Sequence, residues 1–181
     1  MEREYVLSNH IKGAAVRNAR EMLGMSRREF ATFANCSLRT LERWEREDAD
    51  VTGPIVSLIE ILVRDRYLPS RLECPEDRFR LRLIYRKDFY VCTVIDVDEP
   101  RREVRIRNYV KDPLLMAFGV NQAPTFEEYE EFLESRCFPS TRDKMKLELM
   151  RLEIPFYDPL TIIEKTEGRM AEDDFWIEVV R

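Results

Sequence analysis

Arg39, Arg43 and Arg46 recur four and three residues apart in the stretch "SLRTLERWER" (37–46), a spacing that puts all three on one stripe if the segment is a helix. A guanidinium carries five donors in a rigid planar fork. It can close two hydrogen bonds on guanine O6 and N7, or pair with phosphate oxygens. Such a stripe can therefore grip nucleic acid, although the ordinary use of an arginine row is a solvated helix face. Carboxylates offer a second chemistry: Asp96, Asp98 and Glu99 close one candidate strand, Glu103 and Arg105 follow, and Asp173 and Asp174 stand near the C-terminus. That layout matches a metal-dependent nuclease only in part, because the lysine such sites use is missing and acidic hairpin turns are ordinary. Arg136 and Arg142 flank "CFPST" as a further polar pair. No catalytic residue is expected.

His10 is the only histidine, and the four cysteines (Cys36, Cys74, Cys92, Cys137) lie far apart without a C-x-x-C pair. Cysteine–histidine catalysis and zinc binding are both poorly served, so reduced, buried thiols with neither metal nor cofactor are expected. Apolar residues make up 44% of the chain, enough for a packed core, and the 36% that are charged are mixed in sign, which argues against disorder. A length of 181 residues suggests one or two domains. No run approaches the ~20 apolar residues that span a bilayer, and "MEREYVLSNH" lacks the basic-then-apolar layout of a secretory signal. A cytoplasmic protein with no membrane partner is expected. The net charge is −5, yet between Lys12 and Arg43 seven basic residues stand against three acidic ones. Screening beyond about 8 Å lets such a local basic face meet an anion within an acidic chain.

The elements that must position the arginines follow from periodicity. Before a polar, proline-bearing break at Tyr67–Asp77, "YLPSRLECPED", the spacing predicts four helices. The first runs from about Asn9 to Leu23, with Gly24 as its C-cap. The second opens at Ser26, with Glu29 completing a capping box, and carries Phe30, Ala31, Phe33 and Ala34. Ser37 caps the third, whose period turns Leu38, Leu41 and Trp44 inward. The fourth starts at Pro54 and continues to about Arg66. Only Asn35 and Cys36 separate the second helix from the cap of the third, so the turn needs a left-handed residue, which Asn tolerates. Small Ala31 sits where crossing helices would otherwise collide.

These constraints together resemble a helix-turn-helix of the lambda-repressor/Cro superfamily (Xre type), carried by "AREMLGMSRREFATFANCSLRTLERWE" in the first third of the chain. The resemblance implies double-stranded DNA as partner and a DNA-binding set of Arg27, Arg28, Ser37, Leu38, Arg39, Thr40 and Arg43. Ser37, Leu38, Arg39 and Arg43 would face the major groove, with Leu38 near a thymine methyl, and Arg27 would hold the phosphate backbone. It further implies structural roles: Arg20 and Glu45 bridge the first and third helices, Ala31 admits the crossing, and Leu41 and Trp44 anchor the core. Two features depart from the family. Asn35 replaces the usual glycine, and the acidic "EREDAD" follows the third helix, where it would repel phosphate.

Beyond the break the period becomes two. "FRLRLIY" (79–85), "FYVCTVIDV" (89–97) and "REVRIRNYV" (102–110) predict an antiparallel meander, followed by helices near 125–135, 141–152 and 160–166 and a strand over 175–180. The fold class expected is α+β: an all-α helix-turn-helix domain over 1–70, then a small α+β domain with an antiparallel sheet over 75–181. The segment from Ser135 to Val179, "SRCFPSTRDKMKLELMRLEIPFYDPLTIIEKTEGRMAEDDFWIEV", is similar to a C-terminal module of mobile-element proteins from gut Firmicutes, a likeness that implies no agreed activity. The function expected is a sequence-specific transcriptional regulator of repressor type, acting as a homodimer, with residues 75–181 dimerising or binding an effector or protein. The rival is an antitoxin or anti-defence inhibitor whose helix-turn-helix serves autoregulation.

Overall fold

Helical periodicity early in the chain and alternation after it produce two units, Met1–Glu73 and Cys74–Arg181. The structure, a computed structural model, describes residues 5–46, 48–76, 79–141, 143 and 145–181. Its architecture is mixed α and β. Among the described residues no helix is long and apolar enough to cross a membrane.

The first unit is built on α1 (Gly13–Met22), α2 (Arg27–Phe33), α3 (Leu38–Trp44) and α4 (Pro54–Arg64). Val16, Phe30, Leu41, Val56 and Leu62 lie at its centre and are essentially inaccessible to water. The unit is not all-α, as the sequence suggested. β1 (His10–Lys12) pairs antiparallel with β2 (Asp50–Thr52), Ile11 opposite Val51. This ribbon replaces the first turn of the long helix expected from Asn9. The reason is local: Ala49 O accepts from Gly13 N at 2.9 Å, and carbonyl oxygens of Trp44 and Arg46 would stand 2.4 and 1.9 Å from any Cβ at Gly13. Only glycine can begin α1 there, with the chain before it drawn into the ribbon. The break at 67–77 likewise contains a short helix, α5 (Leu68–Leu72). Pro69 sits in its first turn, where a missing N–H costs nothing, so it starts a helix instead of interrupting one. Asp77 and Arg142 lie outside the described residues.

The second unit is a four-stranded antiparallel sheet in the order β5-β4-β3-β6, formed by β3 (Leu81–Lys87), β4 (Tyr90–Asp98), β5 (Glu103–Asn108) and β6 (Phe175–Val180). The last strand therefore returns beside the first of the meander. Alternation turns Leu81, Leu83, Ile95, Val97 and Ile177 to one face, where they pack on Tyr129, Phe132 and Leu133 of α6 (Phe126–Ser135) and Ile162 and Ile163 of α8 (Pro159–Thr166). Helix α7 (Met145–Leu152) adds Leu149. Thr125 and Glu128 form a capping box at α6, and the glutamates of "EEYEEFLES" stay on its wet side, where Glu127 and Glu130 both meet Arg102. Cys92 and Cys137 are buried as thiols, with burial pushing Cys137 up to about 12. Cys74, expected to be buried, is exposed, because it begins the second unit as an extended segment at the sheet's margin.

Candidate nucleic-acid interface

Ser26 accepts from Glu29 N at 3.2 Å and Glu29 accepts from Ser26 N at 2.7 Å, so α2 starts with a closed capping box. The helix ends at Asn35, whose φ of 49° is the left-handed turn the sequence required. Cys36 N then donates to Ala31 O at 2.9 Å, satisfying a carbonyl of the last turn. Ser37 accepts from Thr40 N at 3.1 Å and starts α3 two residues later. Ala31 is buried at the crossing, Leu41 is completely enclosed and Trp44 is half-buried. With that side of α3 fixed, its opposite side faces water: Arg39 and Arg43 are exposed, as is Ser37 at its cap, and Thr40 is partly so. Arg46, expected on the same helical stripe, is exposed but lies past the helix, which ends at Trp44. Leu38, which periodicity turned inward, is 43% exposed, because two residues from the turn the helix has not yet reached the core.

The charges divide into two groups. Arg28, Arg39, Arg43 and Arg46 are exposed, and their side chains make no hydrogen bond or ion pair with a described residue. The others converge on Glu45, which is only 2% exposed. Its Oε1 accepts from Arg20 Nε at 2.5 Å and its Oε2 from Arg27 Nε at 2.7 Å, while its backbone carbonyl accepts from Arg17 Nη2 at 2.6 Å. Arg20 also donates to Met25 O at 3.0 Å, so one carboxylate ties together α1, α2 and the end of α3. Burial by itself would push the Glu45 carboxyl up. The hydrogen bonds from Arg20 and Arg27, with their charges, outweigh this and hold it below the usual range. The same bond, with the attraction of Glu45, raises the Arg27 guanidinium above its ordinary value.

The acidic segment after α3 is less repulsive than its composition suggests. Glu45 is buried and doubly paired, and Asp50 is bonded to Lys12 at 2.6 Å. Asp48 remains exposed, and Glu47 lies outside the described residues.

The other candidate chemistry separates into structural contacts. Asp96 is closed into an ion pair with Arg82, Asp98 meets Arg101, and Glu103 meets Arg105. Arg136 donates to Asp173 and to the carbonyls of Gly168 and Phe175, an internal knot that leaves it 7% exposed. Among the described residues no group of three or more His, Cys, Asp or Glu is placed to hold a metal ion. Two further arginines lie near these residues although the resemblance did not assign them: Arg46, exposed just past the end of α3, and Arg17, half-buried against the carbonyl of Glu45. The recurrence of Arg46 was visible in the sequence, whereas nothing there pointed Arg17 at the carbonyl of Glu45.

Compared with protein-family models, curated proteins and solved structures, the chain matches none.

Proposed function

We propose that Met1–Glu73 is a helix-turn-helix unit of the lambda-repressor/Cro type that binds double-stranded DNA in the major groove, and that the protein acts as a transcriptional repressor. The observation that carries this reading is the pair of exposed arginines with unpaired side chains on α3, Arg39 and Arg43, on a helix held on its other side by Leu41, Trp44 and, at its end, Glu45. Unpaired guanidinium forks on a fixed helix are available for base edges at no cost in broken ion pairs. Arg39 and Arg43 lie about 6 Å apart along the axis, within reach of successive base pairs. Leu38, half exposed beside them, presents an apolar group suited to a thymine methyl. Two copies would address half-sites about 34 Å apart, with Cys74–Arg181 as the dimerising or effector-binding part.

Selection of bound sequences from a random duplex pool, followed by titration of wild type, Arg39→Ala and Arg43→Ala on the selected site, tests the proposal. Each variant is expected to lose about 1–3 kcal/mol and to relax preference at one position. Equal binding by all three proteins would reject it.

One observation favours the inhibitor reading. The first unit has twelve basic and twelve acidic residues and the second eighteen and twenty-three, so the whole net charge of −5 resides in the second. A partner with a basic surface would find its complement there.

A further inference from the structure

Arg27 occupies an unusual position among the cations of the first unit. Its side chain is 53% exposed, yet its Nε is bonded to a carboxylate that is itself inaccessible. Its two Nη groups have no partner among the described residues. The carboxylate cannot follow a moving arginine, because its other oxygen is bound by the buried Arg20 and its own carbonyl by Arg17. The exposed guanidinium is thus held at one corner with its outer edge turned to solvent, at the start of α2.

We infer that Glu45 is a positioning residue for phosphate: it clamps Arg27 through Nε, so that the two free Nη groups meet the DNA backbone as a fixed fork. This rests on the DNA-binding reading and adds to it. An unrestrained surface arginine must give up rotamer freedom when it binds, whereas a clamped one has already done so. The chemistry explains why arginine stands at 27. A lysine has one compact ammonium, which can meet Glu45 or a phosphate oxygen, but cannot bond both in the two-sided way a planar guanidinium can.

The full chain, titrated with a 20-base-pair duplex of arbitrary sequence at several salt concentrations, separates position from mere charge. Wild type should show a steep salt dependence. Arg27→Ala should reduce the slope by about 0.9, one phosphate contact, equivalent to about a 3.5-fold smaller change in affinity between 50 and 200 mM salt. Arg27→Lys keeps the charge and the fold, since the side chain is at the surface, so it should keep the wild-type slope yet bind several-fold more weakly than wild type at every salt concentration. Glu45→Gln, in preparations that melt cooperatively, should likewise weaken binding several-fold with the slope kept, although it removes a negative charge beside the phosphate-binding arginine. Wild-type affinity and slope in Arg27→Lys would overturn the inference even while Arg39 and Arg43 variants still weaken binding. Absence of salt-dependent binding by wild type would instead remove the DNA reading itself, and the inference with it.

Discussion

Arg82 and Asp96 face each other across the β3–β4 ladder and close a two-point ion pair, Nε to Oδ1 at 2.7 Å and Nη2 to Oδ2 at 2.8 Å, on the face of the sheet opposite the helices. Both are almost fully buried, and the guanidinium also donates to Cys74 Sγ and Pro75 O, pinning the first residues of the second unit to its sheet. Removing one partner strands the other without solvent. Asp96→Asn is expected to destabilise the second unit by about 3–5 kcal/mol, whereas Arg82→Leu/Asp96→Leu should cost much less. With only two tryptophans, Trp44 and Trp176, the Trp44→Phe background makes fluorescence in urea report the second unit alone.

Glu45 should make the first unit sensitive to acid. Its carboxyl is held below its ordinary value in the folded state, so its contribution is fully present above the unfolded value, about 4.3, and disappears as pH falls through the lower, folded one. Urea midpoints of residues 1–73 measured from pH 7 to pH 3 should decline across that window. Glu45→Gln should be less stable at pH 7 and should flatten the decline; a parallel curve would show that the carboxylate does not govern it.

Asn35 is an L-residue at φ 49°, a backbone that glycine adopts without penalty. Asn35→Gly should leave stability unchanged or raise it by a few tenths of a kcal/mol, the loss in unfolded-state restriction offsetting part of the relief. Asn35→Val should cost about 1–2 kcal/mol through the same angle. Thermal melts of the three proteins rank them.

Residues 1–73 and 74–181 each enclose a separate apolar core, and each fragment is expected to fold alone. Sedimentation should find the first monomeric and the second dimeric if dimerisation resides in the α+β part. A dimeric first fragment that binds DNA as tightly as the whole chain would move that role to the helices.

Most elements were legible because their signals are local. Ser26 with Glu29, Ser37, Pro54 and Thr125 with Glu128 start helices where the capping pattern puts them, and the alternation of "FRLRLIY" places Leu81, Leu83 and Tyr85 on the core face. What escaped depends on partners distant in sequence. Arg82 alternates with Leu81 and Leu83, and nothing near it in sequence announced that Asp96 would pair with it in a buried setting. Ile11 looked helical because its pairing partner, Val51, lies beyond three helices. Arg46, given the same stripe as Arg39 and Arg43, falls past the end of α3, but the shared exposure of those two on the helix was readable from spacing. The sharing of Glu45 by Arg20 and Arg27 was not, since a contact between residues 18 apart has no periodic signature.

The small ribbon of β1 and β2 has a kinetic meaning. Joining Ile11 to Val51 closes a loop of forty residues around all of α1, α2 and α3, while α2 and α3 meet across the short turn at Asn35 and Cys36. Loop closure over such a distance carries an entropic cost that local turns do not, so the ribbon should zip last in folding and part first in opening. Amide exchange at Ile11 and Val51 should then outrun exchange in α4. A chain end that parts early would loosen the carbonyl seat of Gly13 and, through it, the far end of the arginine-bearing helix, before any of the core around Phe30 and Leu41 has given way.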